Sequence, residues 1–146
     1  MTRAAGLATT VVALMVMCAF SGDARADRHV VRVSVISDPQ IRGAMHEVLE
    51  GTPEVRVVSR GRAELELRGT VAELERREHH DGLEIRARVT VIVADARGGA
   101  VRAMLTGRAG ARGGSDSERL SQNALRGAVR GALRSLPQHG HTLARR

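Results

Sequence analysis

Aromatic side chains are almost absent: there is one Phe, no Tyr and no Trp, and Phe20 sits in an apolar N-terminal run. The core must therefore be built from Val, Leu, Ile, Ala and Met, and nothing offers a stacking surface for bases or sugars. Cysteine is as scarce, since Cys18 stands alone and rules out an intramolecular disulfide. Lysine is missing, so all 23 basic residues are Arg. Also missing are a G-x-S-x-G elbow, a P-loop, an H-E-x-x-H helix and a dinucleotide glycine pattern. The sequence thus offers no catalytic constellation and implies neither an enzyme nor a cofactor.

What is present begins with Arg3, an apolar run from Leu7 to Phe20, and Ala24-Arg25-Ala26 before Asp27. A basic start, a short apolar stretch and an A-x-A site make a secretory signal peptide over residues 1–26, too short and wrongly flanked for a membrane span. The expected location is the periplasm or the medium. Met17 before Cys18 is not the small residue that lipid attachment requires, which argues against a lipoprotein. Residues 27–137 are expected to form one small domain and residues 138–146 a disordered tail. The net charge of +7 suits an acidic partner or anionic lipid headgroups. Export makes nucleic acid a poor partner.

Residues 63–111 organise the domain. Ala63, Leu65, Leu67, Gly69 and Val71 alternate with Glu64, Glu66, Arg68 and Thr70; Leu83 to Val93 and Val101 to Ala109 repeat the pattern. A period of two is the mark of a half-buried strand, so three antiparallel strands are predicted, turning at Asp81-Gly82 and Arg97-Gly98-Gly99. Val31, Val33 and Val35 predict a first strand, available as an edge for a neighbour's sheet. Val55 to Val58 predicts a short second one. Asp38 as N-cap and Pro39 at the first helical position open a helix that carries Ile41, Ala44, Met45, Val48 and Leu49 and closes at Gly51.

After a loop over Gly110 to Ser117, Ser115 and Glu118 form a capping-box pattern. Leu120, Ala124, Leu125, Ala128, Val129, Ala132, Leu133 and Leu136 then line one side of a helix that Pro137 ends. Gly127 and Gly131, among alanines, give that helix a small-residue face for lying close on the sheet. The expected fold is a two-layer α+β domain in the order β-α-β-β-β-β-α, with two helices on one face of a mostly antiparallel sheet of about five strands.

Three groups of residues are candidates for function. Arg119, Arg126, Arg130 and Arg134 form the exposed side of the last helix and suit an envelope protein partner. Ile92 and Met104 interrupt the otherwise polar sheet face and mark a docking surface. A chain starting at Asp27 would present Asp27-Arg28-His29, whose amine, two amides and imidazole suit square-planar Cu(II) or Ni(II). His79-His80-Asp81 reads as a solvated turn, since no second ligand cluster completes a site. Glu64 and Glu66 share a strand face, but Arg neighbours keep them from acting as an acid/base pair.

The runs "ELELRGTVAELE", "LEIRARVTVIVADARGGAVRAMLTGRA" and "ALRGAVRGAL" resemble a domain at the C-terminal end of secreted bacterial HEAT-repeat proteins. More loosely, their order is similar to periplasmic domains of outer-membrane lipoproteins of the penicillin-binding-protein activator type. The resemblance implies an exported adaptor or assembly factor with no catalytic residues to carry over.

Overall fold

The computed structural model describes residues 30–136. In chain order they form β1 (Val31–Ser37), α1 (Pro39–Glu50), β2 (Val55–Val57), a single 3-10 turn (Arg60–Arg62), β3 (Leu65–His79), β4 (Gly82–Asp95), β5 (Val101–Gly113) and α2 (Ser117–Leu133). This is the α+β order expected. The strands make one sheet in the order β2-β1-β3-β4-β5. It is mixed: β1 runs parallel to both neighbours, while β3, β4 and β5 form an antiparallel meander. β1 is therefore interior and cannot offer an edge; the edges belong to β2 and β5.

Both helices lie on the face formed by the alternating apolar residues. Val33, Leu67, Val89, Val91 and Val93 from the sheet, Ile41 and Met45 from α1, and Ala124, Ala128 and Val129 from α2 have no solvent exposure. Small residues set how close the helices come. Met45 and Ile41 fill the space over Gly69, and the α2 backbone at Ala128 and Ala132 rests on Gly107, with Gly127 against the Ala109 methyl. The Gly127/Gly131 face thus does what its composition suggests.

Among the described residues the opposite face has no helix over it. There the 3-10 turn reaches it: Arg60 Nε lies 3.0 Å from Glu66, and Ser34 and Glu66, in register on that face, are buried.

Several boundaries differ from the sequence expectation. β5 continues to Gly113, into the stretch expected to be a loop, because it stays in register with β4 as far as Leu83. Asp116, not Ser115, caps α2, its side chain accepting from the Arg119 amide. Asp38 precedes α1, but its carboxylate does not cap the helix; it accepts instead from the Val71 amide at 2.8 Å. Gly51 ends α1 in a right-handed conformation, φ −76°. The two hairpin glycines do use positive φ, 142° at Gly82 and 67° at Gly99. The expected signal peptide and the tail lie outside the described residues.

Candidate functional site

The helix-free face is laid out in rows across the sheet. Nearest the 3-10 turn, Ser34, Glu66, Ala94 and Val101 are in register. The next row runs Ile36, Arg68, Ile92, Met104, and the one after is a ladder of Thr70, Thr90 and Thr106. Beyond that the face turns ionic: Glu73, Arg88 and Arg108 share a row, then Glu75, Arg86 and Gly110, then Arg77, Glu84 and Arg112.

Two bulges tune this layout. One at Ala72, between Val71 and Glu73, shifts the phase of β3, so that Glu73 and Glu75 turn to the open face and Leu74 to the helix face. The other, at Arg102, brings Val101 opposite Ala94. As a result Val101, Met104 and Ile36 stand 64%, 66% and 46% exposed around Ile92. The two residues expected to mark a docking surface, Ile92 and Met104, are direct cross-strand neighbours.

The ionic half is a shallow cup of about 530 Å³. Its carboxylates are paired with basic neighbours: Arg88 to Glu73 at 2.8 Å, Arg77 to Glu75 at 3.0 Å, Arg86 to Glu84 at 3.0 Å, with His79 and Arg112 at 3.1 and 3.6 Å from the other Glu84 oxygen. The hydrogen bonds from Arg86 and then His79 hold the Glu84 carboxyl below its ordinary value. The Glu75 carboxyl is likewise held below its ordinary value, first by a hydrogen bond from the Glu73 side chain and then by Arg77. Glu64 and Glu66 are equally committed, Glu64 to Arg32 and the buried Glu66 to both Arg60 and Arg68.

The three arginines of α2 and Arg134, which caps it, do not form one set. Arg119 lies 3.7 Å from Asp116 and Arg126 lies 3.4 Å from Glu47 of α1. Arg130 and Arg134 are exposed. All four are on the opposite layer from Ile92 and Met104, so the structure separates the expected partner-binding residues into two surfaces. Asp27, Arg28 and His29 lie outside the described residues, among which no group of three metal-ligating side chains converges.

A groove of about 760 Å³ between α1 and α2 escaped the sequence reading. Leu74 forms part of it and is 43% exposed. Its signal was present: Val71 and Leu74 are three residues apart, an odd spacing that breaks the period of two. Among the described residues no helix is long and apolar enough to cross a membrane.

No protein-family model matches the chain, and no curated protein matches it in sequence. Solved structures do match. The chain is similar to a dodecameric PelC variant from Paraburkholderia phytofirmans, at 21% identity and a TM-score of 0.52, over 73% of this chain and 87% of that one. It is similar also to a minor lipoprotein from Acinetobacter baumannii, at 12% identity and a TM-score of 0.43, over 77% of this chain and 94% of that one. A lipoprotein from Neisseria meningitidis matches at 12% identity and a TM-score of 0.42, over 62% of this chain and 90% of that one. At such identities the likeness establishes the fold alone.

Two expectations are revised. The resemblance to HEAT-repeat proteins gains no support from these structures, whereas the looser likeness to lipoprotein domains agrees with them. The expectation against lipid attachment is corrected: several of the matching solved structures are named lipoproteins, against the expectation that lipid attachment is excluded.

Proposed function

We propose that the chain is a non-enzymatic adaptor of the bacterial cell envelope that engages a protein partner. The observation that carries this reading is the helix-free sheet face, on which Ile36, Ile92, Met104 and Val101 gather beside a ladder of threonines. Exposed apolar residues scattered singly need no explanation, but a contiguous group with a polar rim is the usual form of an interface. The acidic groups on this face are paired with neighbouring arginines, which supports reading its ionic half as the rim of that interface. Arg130 and Arg134 supply a second, electrostatic surface on the other layer.

The two surfaces make different predictions. Affinity capture of partners by the full chain from its own envelope extract is compared with capture by I92S/M104S and by R130E/R134E, at low and high salt. Loss with the first pair and not the second assigns docking to the sheet face. Loss with the second pair, together with release at high salt, assigns it to α2. Capture untouched by either pair of substitutions overturns the proposal.

A further inference from the structure

We infer that the free edge of β5 is a strand-addition site for an extended acidic segment of the partner, an inference that rests on the adaptor reading above. β5 ends the sheet, and its 13 residues present a row of outward backbone donors and acceptors about 40 Å long. Among the described residues nothing pairs with that row. The opposite edge differs: β2 has three residues, too short to recruit a chain.

Charge selects what can add there. The sequence of β5 contains Arg102, Arg108 and Arg112 and no acidic residue, and Arg108 and Arg112 are exposed on the helix-free face. The helix side of the same edge is basic too. Arg134, the exposed residue that caps α2, follows by seven and three residues Gly127 and Gly131, which approach β5 at Ala109 and Gly107. An incoming strand would therefore lie between arginines on both faces. A second β5 offers this edge no complementary charge, since it brings arginines and no acidic residue against the same set. A strand with Glu or Asp on alternate positions turns those carboxylates to one face, toward Arg108 and Arg112, while its backbone completes the ladder.

The test uses the full chain and two peptides about a dozen residues long: alternating Val and Glu, and the same composition interrupted by Pro. The expected result is binding of the first peptide only, with slowed amide exchange across residues 101–113. R108E/R134E is expected to weaken that binding by about tenfold or more at low salt. Equal binding of both peptides means electrostatic attraction without strand addition and overturns the inference, yet leaves the adaptor reading intact. Binding of neither peptide overturns it as well, and the capture experiment then decides the adaptor reading separately. Protection of the β5 amides before any peptide is added, in a self-associated chain, assigns the edge to a second copy and likewise overturns it.

Discussion

A Cβ at Gly107 would run into the carbonyl oxygen of Ala128 and the amide of Ala132, both α2 backbone and unable to yield cheaply. Gly107→Ala must push the helix off the sheet, and we expect a loss of about 1–3 kcal/mol or more, read as a lower urea midpoint. Gly43, inside α1, has open space around it; Gly43→Ala should raise stability by about 0.5–1 kcal/mol through helix propensity alone. Opposite signs for one methyl group at a close contact and at an open helix position would show that close approach, not composition, keeps Gly107. Asp95 shows the same dependence on surroundings. The backbone amide of Arg97, then the Arg102 guanidinium and the Gly98 amide, hold its carboxyl below the ordinary value of 3.8. A depressed folded value stabilises the fold above the unfolded value and loses that contribution as pH falls through the folded one. D95N should therefore lower the urea midpoint at neutral pH and close the gap with the parent chain as the solution is acidified below about pH 4.

The bulge in β3 is the element on which the two faces depend. Asp38 holds it by accepting from the Val71 amide at 2.8 Å, across 33 residues of chain. Asp38→Ala leaves that donor unpaired, and we expect a cost of about 1–2 kcal/mol. Amide exchange tells this role from a helix cap: the substitution should speed exchange at Val71 and its β3 neighbours more than in the first turn of α1. The reverse order would make Asp38 a cap after all. That this contact was unreadable, while the strands themselves were legible, has a physical cause. Alternation from Leu83 to Val93 encodes which face a residue takes and so gave the strands and the core. It does not encode which strand lies beside which, so the interior place of β1 and its parallel pairings were hidden. Helix ends were read less well, because Ser115 and Asp116 are both competent caps and only the local chain path decides between them. On the candidate site, Ile92 and Met104 were visible as breaks in a polar pattern. Their contact, and the inclusion of Val101 through the Arg102 bulge, required the register.

For the molecule as a whole the question is how a chain of net charge +7 stays compact. Its carboxylates on the helix-free face are spent on neighbouring arginines at 2.6–3.6 Å, as for Glu66, Glu73, Glu75 and Glu84. The excess is arginine on the outside, at Arg108, Arg130 and Arg134 among others. Added salt acts on both sets with opposite sign. Exposed ion pairs are worth about 0.2–1 kcal/mol each and lie far inside a screening length of about 10 Å at 0.1 M. Repulsion between arginines on different elements acts over distances comparable to that length and is screened first. Raising ionic strength from about 0.01 to about 0.15 M should therefore raise the urea midpoint of the full chain. A midpoint that falls over the same range would mean the paired lattice of the sheet face outweighs the repulsion, and that the arginine excess exerts little strain on the fold. A rise gives an acidic partner a thermodynamic handle, since a ligand that neutralises the outer arginines would stabilise the fold as salt does, and its effect should shrink in high salt.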